Sequence, residues 1–442
     1  MTLRHARRLP AHQGRAPWNA ILGPQPAANE LEGLQTADVV VIGAGFAGLS
    51  AARRLLQIDP NLKISILEAG RVAEGSAGRN SGFMIDLPHE LASDDYAGAG
   101  DDGALTARNR IAIEFAAQAV SEYQINPTFF DRAGKINAAV SDVALSHNQS
   151  YAAHLHSLGE PHDLLDSQAM RDVTGSAHYN GGLYTPGTVL LQPAGYIRGL
   201  ADGLSRKVKI FELSPVWTMS QQDRDWLLVT PKGRLTTPRV IMATNGHLES
   251  FGYERGRLMQ LFLYGVMSPE LDASTLTGSP RWGITPSDPM GTSVRRIETG
   301  HGRFRLLVRS CATLLPGMMP SAAHLRRAAR VMQRKFDQRF PGLAGLQMEH
   351  AWSGHLCLSL NSVAVCREIE TGLFAACVQN GLGTTRGTLT GMAAAELALG
   401  QSSELARYFT SEVRPRMLPP RPIRELGANV LLRFREWRAR AE

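Results

Sequence analysis

A chain of 442 residues with 43% hydrophobic content can bury one large core or two domains sharing an interface, and no run approaches the roughly 18 to 20 uncharged residues of a membrane span. The net charge of +7 comes mostly from arginines spread along the chain, with Lys at six positions, which argues against a nucleic-acid-binding stripe. Four cysteines (Cys311, Cys357, Cys366, Cys377) show neither a C-x-x-C pair nor a matching His spacing, which argues against zinc and a disulfide framework, and Met1–Arg15 is basic with no apolar block behind it, so a cytoplasmic protein is expected.

Residues 1–35, rich in Pro, Gly and Ala around an isolated Trp18, read as an extended arm over the body of the protein, with no chemistry assigned. Val39-Val40-Val41-Ile42 then predicts a strand, Gly43-Ala44-Gly45-Phe46-Ala47-Gly48 a glycine turn, and Leu49, Ala52 and Leu55 an apolar helical face. A second apolar run, Ile64, Ile66 and Leu67, ends on Glu68, where the second strand of a βαβ unit would finish. Gly43 allows the tight turn, Gly45 removes the Cβ that would hold a pyrophosphate off the backbone, and Gly48 lets helix and strand pack closely. Free N–H groups and the positive dipole end of the helix stabilise the phosphates, while Glu68 accepts hydrogen bonds from a ribose and repels a 2′-phosphate. The whole is a dinucleotide-binding fingerprint.

After Glu68-Ala69 comes the small-residue loop Gly75-Ser76-Ala77-Gly78-Arg79-Asn80-Ser81-Gly82-Phe83, which lets backbone pass close to a flat ligand. Together, D-V-V-V-I-G-A-G-F-A-G-L-S-A-A, the acid ending strand two and G-S-A-G-R-N-S-G-F resemble the FAD-dependent amine and amino-acid oxidoreductases, which include D-amino-acid oxidase, glycine oxidase, sarcosine oxidase and γ-glutamylputrescine oxidase. The resemblance covers residues 36–400. It implies an α/β (α+β) fold, with a Rossmann-like FAD-binding domain on the βαβ fingerprint and a discontinuous antiparallel-sheet substrate domain. Gly78, Arg79, Asn80, Ser81 and Gly82 would line the isoalloxazine ring. Arg79 stands where some relatives link flavin through His, and Gly354 where sarcosine oxidases link it through Cys, so non-covalent FAD is expected.

Downstream, Phe115–Gln124 reads as a helix, Gly134–Val140 as a strand and His147–Leu158 as a helix whose scattered histidines lack acidic or Cys companions, so no metal is assigned. Tyr184–Gln192 reads as extended and Ala194–Leu204 as a helix. Short strands at Val208–Leu213, Trp226–Thr230 and Arg239–Ala243 end at Ala243-Thr244-Asn245-Gly246; the resemblance puts Val216 beside the adenine and has this turn close the nucleotide site. Leu261–Met267, Thr292–Ile297 and Arg303–Arg309 read as strands and Ala322–Phe340 as a helix. Relatives place an arginine on this hairpin for a substrate carboxylate. Arg296 aligns best and strand alternation puts it on one face with Val294 and Glu298, taken to be the flavin side; Arg309 is second, and His301 joins them in the turn.

Trp352 and Gly354 join the expected cofactor-binding residues, beside His350 and His355, which with Arg296 make the catalytic candidates. A second glycine turn, Asn380-Gly381-Leu382-Gly383-Thr384-Thr385, opens a last helix; by resemblance it holds the flavin pyrimidine. Ser359-Leu360-Asn361 and Ala364 depart from the usual T-P-D-x-x-P, and Val378–Gly383 from the usual Tyr-Ser-Gly-His-Gly. The expected FAD domain is 36–125, 192–252 and 345–410, the substrate domain 126–191 and 253–344, and 411–442 a basic helical segment for which packing on its own domain is preferred over contact with a membrane surface. The implied reaction is oxidation of an amine or amino-acid C–N bond by hydride transfer to flavin N5, giving an imine that hydrolyses, with O2 as acceptor. A dehydrogenase serving a quinone or carrier, and a non-catalytic flavin- or NAD-binding protein, remain as alternatives; neither nucleic acid nor membrane contact is expected, and the oligomeric state is open.

Overall fold

The computed structural model describes residues 3–88, 100–288 and 290–442; residues 1–2 of the expected arm and 89–99 of the expected FAD domain lie outside the described residues. Val39–Ile42 is buried at every position, which requires cover on both faces of its sheet. It runs parallel to Ile64–Leu67 on one side and to Val240–Met242 on the other, inside a six-stranded sheet. Leu373–Cys377 extends the parallel set, Val365–Glu370 closes that edge antiparallel, and Lys209–Phe211 forms the opposite edge. Alternation sends Val39 and Val41 into a cluster with Leu49, Ala52 and Leu55 of helix Phe46–Ile58 and Leu389 and Ala393 of helix Thr385–Ala398. Val40 and Ile42 join Met219, Trp226, Leu228 and Leu235 of an antiparallel meander on the other face.

Glycine lets the first helix close on its own turn and the second helix close on the first. A Cβ on Gly48 would lie 1.8 Å from the Gly43 carbonyl oxygen, and one on Gly391 2.1 Å from that of Ala47. Both helices follow parallel strands, so both N-termini open at the carboxyl edge of the sheet. The arm is built into the same body: Leu3–His5 pairs with Thr218–Gln222, Gly33–Thr36 pairs with Gly233–Thr237, and the buried Trp18 donates from Nε1 to the Asn80 carbonyl at 2.8 Å.

The second large sheet runs in the order His350–Ser359, Leu258–Met267, Arg303–Leu314, Ser293–Gly300, Trp282–Pro286, Lys135–Ala139, Gly181–Thr185, Asp163–Asp166. Helix Ala322–Arg339 packs Ala328, Met332 and Phe336 against Trp282, Val294 and Phe304 on one face. Two expectations change here. His350–Ser359, expected in the FAD domain, pairs antiparallel with Leu258–Met267 along its length and belongs to this sheet. The arginine hairpin has the opposite phase to the one expected: Arg296 shares the helix side with Val294, its Nη1 donating to the Thr277 carbonyl at 2.8 Å and its guanidinium 4.0 Å over the Phe304 ring. Ser293 to Ile297 is buried at every position, so hydropathy along the strand carries no phase.

Gly391→Ala should lower stability by about 2 kcal/mol or more in urea unfolding, because its Cβ meets backbone that cannot swing aside. Gly427→Ala, with nothing within 4 Å in a surface helix, should leave stability unchanged or raise it by up to about 1 kcal/mol.

Candidate active site

Where the carboxyl edge of the parallel strands meets the large sheet, a cavity of about 2150 Å³, its open mouth included, runs between them. Gly43, Gly45, Phe46, Ala47, Glu68 and Ala69 line its first part. Gly45 caps helix Phe46–Ile58 without a side chain to satisfy the first N–H groups, and a Cβ there would touch only the Ala77 methyl at 3.6 Å. Glu68 accepts from Ala44 N–H at 2.7 Å and from Gly70 N–H at 3.1 Å; burial pushes its pKa up, and those donors oppose the shift. Val216, Ala243, Thr244 and Asn245 follow along the wall, then Arg79, Asn80, Ser81, Gly381, Leu382, Gly383 and Thr384. Helix Thr385–Ala398 likewise begins without a side-chain cap. Two uncapped helix N-termini and one carboxylate on a single elongated cavity suit the pyrophosphate, pyrimidine and ribose of FAD.

Other expected cofactor residues stand behind this surface and shape it. Gly48 and Gly78 each bring backbone against a carbonyl, Gly82 at φ +79° packs on Arg295, and Gly246 leaves room for Gln260 and His355. Asn380 accepts from Ser359 N–H at 2.8 Å and donates to the Val363 carbonyl at 2.9 Å, while Thr385 Oγ1 donates to the Ile85 carbonyl at 3.0 Å.

Beyond the cradle, the wall is made by Leu263, Tyr264, Arg309, Trp352, Gly354 and His355 of the large sheet. Arg309 is thus the expected hairpin arginine that reaches the cavity. Arg296 is turned to the other face, His301 lies exposed in its turn at φ +51°, and His350 sits beside Glu349 with Nε2 3.4 Å from Oε1; none of the three lines the cavity. Arg79 and Arg295 act as internal ties. Arg79 donates to the carbonyls of Glu74 (2.6 Å), Gly14 (2.9 Å) and Ser353 (3.2 Å). Arg295 donates to those of Leu191 (2.6 Å), Ser81 (3.1 Å) and Gly82 (3.2 Å), between the rings of Trp18 and Phe83. Burial lowers their pKa values to about 10 and about 9, which leaves both charged near neutrality.

Sequence reasoning named His355 but missed the two histidines that make a corner with it. His12 of the arm, His247 and His355 all line the cavity, with His247 edge-on to His355 at 5.3 Å and Phe262 stacked on His355 at 5.2 Å. Gln260 donates from Nε2 to Glu249 Oε2 at 2.8 Å and to the Gly246 carbonyl at 3.2 Å, both acceptors only, so its amide oxygen faces His355 Nε2 at 2.9 Å. His355 therefore donates from Nε2 and keeps its lone pair on Nδ1. Burial lowers the pKa of His12 to about 3 and of His247 to about 4, and holds that of His355 well below the usual imidazole range. His247 directly follows the Ala-Thr-Asn-Gly turn, a signal available in sequence; nothing local marks His12, which arrives through the long-range pairing of the arm. Among the described residues, no group of three or more His, Cys, Asp or Glu is placed to hold a metal ion.

These histidines set an acid limit. Between the ordinary pKa of 6.5 and about 4, the unfolded chain binds protons that the folded one refuses, so stability is lost as pH falls through that window. Tm measured against pH should fall across it, and a flat profile would contradict a neutral histidine corner.

Residues 38–397 match the family model described as FAD dependent oxidoreductase, DAO. The probable oxidoreductase OrdL of Rhizobium meliloti (strain 1021) is 25% identical over 417 residues, covering 90% of this chain and 91% of its own. Gamma-glutamylputrescine oxidoreductase of Escherichia coli (strain K12) is 25% identical over 401 residues, covering 84% and 86%. In fold, glycine oxidase from Geobacillus kaustophilus superposes with a TM-score of 0.70 at 17% identity, covering 86% of this chain and 100% of its own. L-amino acid deaminase from Proteus myxofaciens gives 0.65 at 15%, covering 88% and 95%. With the fingerprint, the second uncapped helix and the family match spanning most of its length, the chain belongs to the DAO family of FAD-dependent oxidoreductases.

Proposed function

We propose that the protein oxidises the C–N bond of a small amine or amino acid to an imine that hydrolyses, with non-covalent FAD and with O2 as the final acceptor. What carries this reading is one cavity in which an FAD cradle adjoins a neutral imidazole and the Arg309 guanidinium. The names of the relatives, a γ-glutamylputrescine oxidoreductase, a glycine oxidase and an L-amino acid deaminase, point to the same substrate class. The flavin supplies the hydride acceptor at N5.

The chain orients and desolvates the substrate. The Nδ1 lone pair of His355 accepts a hydrogen bond from the substrate nitrogen. The same desolvation that holds the imidazole neutral disfavours an ammonium beside it, so the substrate binds as the uncharged amine, which is the form able to lose hydride. Gln260 and Glu249 fix the tautomer that makes this possible. Arg309 meets a carboxylate or other anionic end of the substrate. Arg79 is committed to three carbonyls and Gly354 has no side chain, so neither offers a covalent attachment to flavin.

Flavin should stay in the supernatant when the protein is acid-precipitated; colour in the pellet would mean a covalent link. Anaerobic bleaching of the bound flavin across a panel of amines and amino acids, followed by O2 consumption with whichever compound bleaches it, tests the reaction itself. Arg309→Gln should raise KM at least about tenfold, about 1.4 kcal/mol, for an anionic substrate and leave uncharged amines little changed, whereas Arg296→Ala should alter stability and spare KM. Gln260→Leu frees the His355 tautomer and should lower kcat/KM about tenfold or more with FAD content unchanged, its KM rising less than its kcat falls. An unchanged kcat/KM in that variant would remove His355 from the reaction.

A further inference from the structure

The C-terminal helix Ile423–Arg438, expected to pack its apolar side on its own domain, does the reverse. Its inward face is polar. Asn429 accepts from Leu314 N–H at 2.9 Å and donates to the Leu314 carbonyl at 3.1 Å, and Arg433 donates to Thr313 Oγ1 at 2.9 Å. The buried Glu436 accepts from Arg327 at 2.8 Å and from the Cys311 thiol at 3.1 Å. The outward face carries Ile423, Leu426, Val430, Phe434 and Trp437, spaced three, four, four and three residues apart and each between 52% and 68% exposed. That spacing makes one continuous stripe along the helix, pointing away from the protein.

We propose that this helix docks the enzyme on an anionic bilayer surface, lying in the plane of the interface with its stripe at the boundary of headgroups and acyl chains. An apolar stripe ending in Phe and Trp beside arginines is the arrangement that interface offers a place for. Arg421, Arg435, Arg438 and Arg440 are exposed around the stripe. Behind it, Arg334 and Arg440 line a groove between this helix and helix Ala322–Arg339, beside the Arg327–Glu436 pair, and continue the cationic rim. The acids nearby are spent, Glu425 on Arg421 at 2.9 Å and Glu436 inward, so the rim has little to offer a second copy of itself: stripe-to-stripe pairing would bring guanidinium against guanidinium. Anionic headgroups complement the same rim. Among the described residues no helix is long and apolar enough to cross a membrane, so the contact is peripheral, and no residue of this helix lines the cavity, so docking leaves the active site open.

The full-length FAD-loaded protein should sediment with vesicles of phosphatidylcholine mixed with phosphatidylglycerol, bind at least about tenfold less to phosphatidylcholine alone, and be released by high salt. Trp437 emission should shift to the blue on adding the anionic vesicles, a change that Trp437→Phe removes. Leu426→Glu with Phe434→Glu should abolish sedimentation, and Arg435→Gln with Arg438→Gln should weaken it about fivefold or more. Both pairs are exposed, so flavin content and turnover without vesicles should match the parent protein. Failure to sediment with anionic vesicles, or sedimentation indifferent to the Leu426/Phe434 pair, overturns the proposal. So does a concentration-dependent dimer that this pair abolishes in the absence of vesicle binding, which would assign the stripe to a second copy of the chain.

Discussion

Backbone touching backbone is what the active site rests on. The close approaches at Gly48 onto Gly43, and at Gly391 onto Ala47, leave no room for a Cβ. The first closes the fingerprint turn onto its own helix and the second draws the two helices together, and both uncapped N-termini open on one cavity. Each terminus alone would be a modest anion site, contributing on the order of 1 kcal/mol through its dipole. Placed at successive points along one elongated cavity, they favour a ligand with two separated electron-rich regions, which a dinucleotide has and a single phosphate lacks. The glycines thus act on cofactor choice through geometry before any side chain makes contact.

Arginine does the complementary work of holding loops still. Arg79 and Arg295 are buried without a carboxylate in full contact, a costly arrangement unless the guanidinium donors are taken up. Arg79 donates to carbonyls of three segments, at Glu74, Gly14 and Ser353, and Arg295 donates from Nη1 to two, Ser81-Gly82 and Leu191, so each ties segments together. Arg79 binds the arm at Gly14 to the strand at Ser353, and Trp18 binds the arm to Asn80. The arm is thereby part of the cavity wall, which explains how His12 comes to line it.

Much of this could be read from sequence because the signals were local. The fingerprint strand, turn, helix and acid occupy one contiguous stretch, and the Ala243–Gly246 and Gly381–Thr384 turns each announce themselves by glycine after an apolar strand. What could not be read depends on phase or on distance. Arg295 and Arg296 are adjacent in a strand buried on both sides, and alternation tells that they part company without telling which way either points. The strand His350–Ser359 looks like a return to the nucleotide sheet in a linear reading, yet its partner lies some ninety residues earlier, at Leu258–Met267. The C-terminal helix has an apolar face plain in sequence, but no sequence pattern says whether protein or solvent will meet it.

The charge layout of the cavity follows from the reaction we propose. Moving hydride from a carbon bearing nitrogen leaves positive charge on the substrate side and adds negative charge on the cofactor side. The cofactor side meets helix N-termini and backbone N–H groups, which favour that negative charge. The substrate side should then offer lone pairs near the nitrogen and keep cations away from it. It has His12, His247 and His355 held neutral by burial, while Arg79 donates to carbonyls and Arg309, on the same cavity, is assigned in our reading to the anionic end of the substrate, away from the nitrogen. A protonated histidine in that corner would repel the developing cation over a short path of low dielectric. In the reaction we propose, burial of the histidines would serve the chemistry by the same means that makes the fold sensitive to acid: one desolvation keeps the imidazoles neutral in both roles.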